Sequence, residues 1–162
     1  MSGPTTSDGN SMSVEDILDA VFPKLNARAP VPQVAGARDD PNPGGEIVSM
    51  FFNIRDQIKL YHWQTKSFSE HKGVDEIVQK LDENIDKFLE VFMGRHGRPY
   101  VKETLEVKNL TPASIRQFID ESKSWLAEKL PHMIKKADTD LLNIRDEMLG
   151  DLNQVKYLLT LT

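Results

Sequence analysis

Apolar residues recur at intervals of three and four along the chain from Glu46 onward, which is the spacing of one face of an α-helix. Four such stripes predict four helices, the first over about 46–66, the second over about 70–94, the third from Pro112 and the fourth from Asp138. The stripe residues are, in helix order, Ile47, Phe51, Ile54, Ile58 and Tyr61; Val74, Val78, Leu81, Ile85, Phe88 and Phe92; Ile115, Phe118, Ile119, Trp125, Leu126, Leu130 and Met133; Leu141, Ile144, Met148, Leu152, Val155 and Leu159. No segment alternates with the period of a strand, so the pattern predicts an all-α fold.

The lengths of the links between these helices predict their arrangement. The first and second helices, and the third and fourth, are joined by short links, whereas the link that begins at Gly97 and ends at Thr111 is long. A long crossover after the second helix is what a ferritin-like four-helix bundle requires, because its second and third helices run parallel. Pro131 lies late in the third helix and is expected to kink it.

The first 45 residues have a different composition. Residues 1–46 hold six of the nine prolines and five of the nine glycines, which predicts an extended or mobile arm. One segment within it, near 14–22, has helical apolar spacing after the capping residue Ser13. So short an amphipathic helix is marginal alone, so we expect it to dock on a protein partner or on its own body. The two predicted domains are therefore 1–45, the arm, and 46–162, the bundle.

The charge and composition limit the classes of function. The net charge is −5, of which residues 1–46 carry −4, and the remainder of the chain is close to neutral. An acidic arm repels phosphate, so DNA binding is not expected. The chain has no cysteine, no apolar run as long as a membrane span and no signal-peptide pattern at its start. We expect a protein of the cytoplasm or of a virus particle, neither secreted nor in a membrane.

The candidate chemistry lies in one run of the sequence. His62 and His71 are followed by Asp86 and Glu90, two carboxylates at the i,i+4 spacing that places them on one helix face. Imidazole nitrogen and carboxylate oxygen together suit iron, with zinc or manganese possible. The alternatives are a solvated charged face for Asp86 and Glu90 and a packing role for the histidines. Another i,i+4 carboxylate pair, Glu147 and Asp151, is a competing intrachain site, and His96 and His132 are interpreted as surface residues.

The body of the chain resembles the Dps-like mini-ferritins over about 46–162. The resemblance rests on Tyr61-His62-Trp63, on His71, on the Asp86-x-x-x-Glu90 pair, on Gly97-Arg98-Pro99 and on the opening of the last helix at Asp138. The interval from His62 to His71 is about three residues shorter than is usual in that family, nearly one helical turn. Similar small proteins also occur in large DNA viruses.

The resemblance implies a hollow homo-oligomer, a dodecamer built from dimers, that oxidises Fe(II) with peroxide or oxygen and stores the ferric product. It also implies that the ferroxidase site lies between two subunits, with His62 and His71 from one chain and Asp86 and Glu90 from the other. The alternative function is not enzymatic. It is a ferritin-like structural or scaffolding protein, such as a virion component, that docks through its N-terminal arm.

Overall fold

The computed structural model describes residues 43–101 and 105–161, and this part of the chain is helical with irregular connections. Helix α1 is Gly44–Gln64, α2 is Phe68–His96, α3 is Pro112–Ser124 and α4 is Thr139–Leu158. No strand occurs within the described ranges, so the all-α prediction is confirmed for them. Residues 1–42, with the predicted helix near 14–22 and almost all of the predicted arm, lie outside them.

The helices begin and end close to the predicted residues, for local reasons. Ser67 caps α2 by accepting a hydrogen bond from the Glu70 amide, and Thr111 and Ser114 form a reciprocal capping box at the start of α3. Helix α2 continues through Gly94 and ends at Gly97, whose φ of 81° belongs to the left-handed region that favours glycine. Helix α1 starts at Gly44, two residues before the predicted boundary.

The predicted kink at Pro131 takes the form of a change in helix type. Helix α3 continues as a π-helical segment, Trp125–Lys129, in which the Leu130 amide bonds to the Trp125 carbonyl, and one further turn covers Leu130–Met133. Proline has no amide hydrogen, and its ring collides with the carbonyl four residues earlier. The wider π turn immediately before Pro131 relieves that collision.

One apolar core holds the four helices together. All the predicted stripe residues of α1, α2 and α4 are buried, and Phe51 packs edge-on against both Phe88 and Trp125. Ile77 belongs to this core as well, although the predicted stripe omits it. Each fully buried side chain of this size contributes about 1.5–3 kcal/mol relative to an exposed one.

Polar contacts between the helices give their relative directions. Helix α2 is antiparallel to α4, because Asn84 bonds Asp151 at 2.9 Å and Arg95, eleven residues later, bonds Asp140 at 2.6 Å. Helix α3 is antiparallel to α4 in the same way, through Lys156 with Asp120 and Arg145 with the Leu126 carbonyl. Helices α2 and α3 therefore run in the same direction.

The connection between α2 and α3 runs back along α1. Tyr100 touches the start of α1 at Gly45, Glu106 bonds Asn53, and Asn109 bonds Gln64 near the end of that helix. The connection thus returns the chain to the end of the molecule at which α2 began, so that α3 starts there. None of the described helices is long and apolar enough to cross a membrane.

Candidate metal centre

The turn between α1 and α2 brings His62 and His71 together. His62 lies in the last turn of α1 and is 5 % exposed, and His71 lies in the first turn of α2. Their rings are stacked, with centroids 4.0 Å apart and planes inclined by 21°. The shortened interval between the two histidines therefore keeps them adjacent.

Each of these rings is oriented by the backbone of the other histidine. Nδ1 of His62 lies 2.8 Å from the His71 carbonyl oxygen, and Nδ1 of His71 lies 2.9 Å from the His62 carbonyl oxygen. Because a carbonyl only accepts, both Nδ1 atoms carry the proton, and in each neutral ring the lone pair is on Nε2. Metal-binding histidines are commonly held in this way, with one ring nitrogen donating to the protein and the other free for the ion.

Asp75 lies beside the histidine pair. Its Oδ1 is 3.5 Å from His62 Nε2 and 2.9 Å from Lys59 Nζ. The hydrogen bond from Lys59 holds the pKa of Asp75 below its ordinary value, so this carboxylate is charged. Sequence reasoning missed Asp75, although it follows His71 at the same i,i+4 spacing that identified Asp86 and Glu90.

The other two predicted ligands lie farther along α2. Asp86 and Glu90 are exposed, and Glu90 follows His71 by nineteen residues, about 28 Å of helix. One chain therefore does not bring them to the histidines. Within residues 43–101 and 105–161, no group of three or more His, Asp or Glu side chains is placed to hold a metal ion. A ligand set made of all four residues stays a prediction.

The carboxylates around Asp86 differ in whether they have partners. Asp82 bonds Arg55 at 3.0 Å, and Lys87 lies 3.4 Å from Glu147. Such ion pairs are what the interpretation of this surface as a solvated charged face predicts. In the described part of the chain, Asp86 and Glu90 have neither a hydrogen bond nor an ion pair from their side chains. The exposed surface of α2 thus carries paired charges and also an i,i+4 carboxylate pair that has no partner among the described residues.

A buried carboxylate fixes the turn beneath the histidines. Glu70 is 4 % exposed and accepts hydrogen bonds from the Tyr61 hydroxyl, at 2.8 Å, and from the Thr65 hydroxyl. Burial, together with the hydrogen bond to Glu70, raises the pKa of Tyr61 to about 12. These bonds tie the last turn of α1 to the first turn of α2, which is the geometry that stacks the two rings.

The opposite end of α2 holds a second histidine, whose interpretation as a surface residue is wrong. His96 is half-buried, its Nε2 lies 2.7 Å from Oδ2 of the buried Asp138, and its ring packs on Phe92. Asp138 also accepts from the Lys135 amide, so its side chain joins two segments instead of capping α4. His132 is exposed, as predicted. In the competing carboxylate pair, Asp151 is bonded to Asn84 and Glu147 lies near Lys87.

Comparison with known proteins gives a family but no activity. The chain is 28% identical over 124 residues to the uncharacterized 14.6 kDa protein in the mobD-ri intergenic region of Enterobacteria phage T4, an alignment that covers 75% of this chain and 91% of that protein. No solved structure matches. A family described as of unknown function, DUF5856, matches residues 62–159, a range that begins at His62 and includes His71, Asp86 and Glu90. This protein is therefore a member of the DUF5856 family.

Proposed function

We propose that this protein is a ferritin-like iron oxidase of the Dps type, which oxidises Fe(II) at a site completed by a second copy of the chain. The observation that carries the proposal is the stacked pair His62 and His71, each with Nδ1 bonded to a carbonyl and Nε2 left for a ligand. This is the tautomer in which a histidine binds a metal ion through Nε2.

The order of the helices supports a ferritin-like bundle. Helices α1 and α2 form one antiparallel pair and α3 and α4 another, and a long connection joins them so that α2 and α3 run parallel. This arrangement is the one that bundles with a single long crossover adopt.

Each residue has a distinct role in the proposed reaction. His62 and His71 bind Fe(II) through Nε2, and Asp75 supplies an anionic oxygen beside them. Asp86 and Glu90 of a second copy complete the set, since carboxylates favour the ferric product. Each Fe(II) loses one electron, and hydrogen peroxide accepts two electrons and two protons to form water. The same nitrogen and oxygen set accepts zinc or manganese, which are expected to compete with iron.

Electrostatics favour a cation at this point. Lys59 donates a hydrogen bond to Asp75, and its ammonium also lies 5.7 Å from the Trp63 ring centroid, so it has an alternative site when an ion approaches. Asp86 and Glu90 are like charges at i,i+4, an arrangement that disfavours the helix by a few tenths of a kcal/mol unless a cation bridges them.

The experiment that tests the proposal compares two carboxylate pairs of equal spacing. The double variant Asp86→Asn, Glu90→Gln is expected to lose rapid Fe(II) oxidation with peroxide while keeping its helical circular dichroism. The matched control is Glu147→Gln, Asp151→Asn on α4, which removes the same charge and is expected to keep the wild-type rate. Equal rates for wild type and the first variant would contradict the proposal.

One observation favours a second candidate function. Trp63 is 67 % exposed and Phe68 is 75 % exposed, and both lie between His62 and His71 in the sequence. Large exposed aromatic side chains mark contact surfaces, so a non-catalytic scaffolding protein that assembles through this end is the alternative. An assembly that forms normally but oxidises no Fe(II) would favour it.

A further inference from the structure

The connection between α2 and α3 has one edge bound to α1 by side-chain amides. Asn53 Nδ2 donates to the Glu106 carbonyl at 3.0 Å, and Gln57 Oε1 accepts from the Lys108 amide at 2.8 Å. The buried Gln57 also donates from Nε2 to the Lys108 carbonyl. The side-chain amide of Gln57 thus bonds both the backbone N–H and the C=O of Lys108, as a neighbouring β-strand would. The segment Leu105–Asn109, here called the linker strand, is thereby held along α1.

The positions of these bonds show that the linker strand is extended. Asn53 and Gln57 are four residues apart in a helix, a rise of about 6 Å. Glu106 and Lys108 are two residues apart, and an extended chain covers about 6.6 Å in two residues. The two spacings match, and no helix or turn interrupts 105–110.

The outer edge of the linker strand is unpaired. In an extended chain the amide and carbonyl groups of successive residues point to opposite sides, so those of Val107 point away from α1. Among the described residues, no backbone hydrogen bond involves Leu105 or Val107. Their side chains are 39 % and 46 % exposed. An open edge with exposed apolar residues is a template for pairing with another strand.

We propose that the linker strand pairs antiparallel with the linker strand of a second copy of this chain, about a two-fold axis at Val107. This register sets Glu106 opposite Lys108 of the second copy, and Lys108 opposite its Glu106. The outward groups also allow an axis at Leu105, but that register does not set Glu106 opposite Lys108. Only the axis at Val107 pairs opposite charges, which favours it.

This axis also aligns the two halves of the proposed metal site, a consequence that depends on the proposed function. Val107 lies level with Arg55 of α1, and Arg55 bonds Asp82 of α2. Along α2, Asp75 and His71 lie about 10 and 16 Å from Asp82 in one direction, whereas Asp86 and Glu90 lie about 6 and 12 Å in the other. A two-fold axis at the level of Asp82 makes α2 of the second copy run in the opposite direction. Measured along the helix axis, the carboxylates of the second copy then lie within about 4 Å of the levels of Asp75 and His71.

A single cysteine tests the pairing directly, because the natural chain has none. Paired residues on such an axis have Cα atoms about 5.5 Å apart, which a disulfide can span. Under mild oxidation, Val107→Cys is expected to form a covalent dimer at micromolar concentration. The control Tyr157→Cys replaces a side chain that is 62 % exposed on α4 and is expected to remain uncrosslinked. Equal crosslinking of the two variants, or none for Val107→Cys, overturns the pairing.

A second pair of variants tests the backbone bonds. Val107→Pro removes the outward amide, and the extended conformation of Glu106 already suits a following proline. On a sizing column, the Val107→Pro variant is expected to elute closer to the monomer than the wild-type assembly does. Val107→Thr keeps the amide and is expected to elute as wild type does. A wild-type chain that is monomeric, or identical elution of both variants, overturns the proposal. Crosslinking without Fe(II) oxidation would leave the pairing intact and contradict only the proposed function.

Discussion

At the scale of single residues, the histidine pair shows what sequence can and cannot predict. His62 and His71 were identifiable because imidazole in this pattern has few chemical roles, but their stacking depends on the buried Glu70, which no periodicity marks. Asp75 was missed because charged residues on a helix usually face water. Its contact with Lys59 and its proximity to His62 result from the packing of α1 on α2.

Removing the hydroxyl that bonds Glu70 is expected to destabilise the turn. Tyr61→Phe removes one of the two hydroxyls that donate to the buried Glu70 carboxylate among the described residues, which costs about 1–3 kcal/mol. Tyr100→Phe is the matched control, because Tyr100 is 60 % exposed, and its effect should stay within about 0.5 kcal/mol. Urea unfolding measures both values. Equal stability of the two variants would show that the Tyr61 hydroxyl does not hold the turn.

The same residue predicts a dependence on pH. The pKa of Tyr61 is raised to about 12 from an ordinary value of 10.0, so the folded state favours the neutral phenol. The resulting stability is complete below the unfolded pKa and is lost as the pH rises from there through the folded value. The difference in free energy of unfolding between wild type and Tyr61→Phe should therefore shrink above pH 10. A constant difference over that range would contradict the assignment.

At the scale of helices, the sequence predicted most of the structure. The spacing of apolar residues gave the four helices, with Pro112 as the predicted start of α3, whereas the capping role of Ser67 was not predicted. The π-helical segment before Pro131 could not be predicted, because a kink and a wider turn relieve the same collision. The path of the linker strand along α1 was equally inaccessible, since the polar side chains Asn53 and Gln57 set it.

Two glycines in helices should respond oppositely to alanine. A Cβ at Gly45 would collide with the Tyr100 carbonyl, so Gly45→Ala should displace the connection from α1 and destabilise the fold. A Cβ at Gly150 on α4 meets nothing within 4 Å, so Gly150→Ala should stabilise it by about 0.5–1 kcal/mol. Thermal unfolding of both variants gives the comparison. A stabilised Gly45→Ala would mean that Tyr100 does not contact α1 in solution.

At the scale of the whole molecule, the four predicted ligands follow one another along the chain, and the fold divides them into two pairs. His62 and His71 meet at one end of α2, and Asp86 and Glu90 remain exposed beyond its middle. No pattern within a single chain reports a contact between two chains, so the sequence alone could not reunite them. The proposed pairing of the linker strand is an arrangement that would bring them together.

The most direct test of a site shared between two chains is complementation between two inactive variants. One variant carries His62→Ala and His71→Ala, and the other carries Asp86→Asn and Glu90→Gln. Each alone is expected to lose rapid Fe(II) oxidation with peroxide. If the two coexpressed chains form two-fold dimers at random, about half of the dimers contain one chain of each kind. In each mixed dimer, one of the two sites combines intact histidines with intact carboxylates. About a quarter of the wild-type rate should therefore return. A coexpressed assembly as inactive as its parents, or a parent that keeps the wild-type rate, would contradict the shared site.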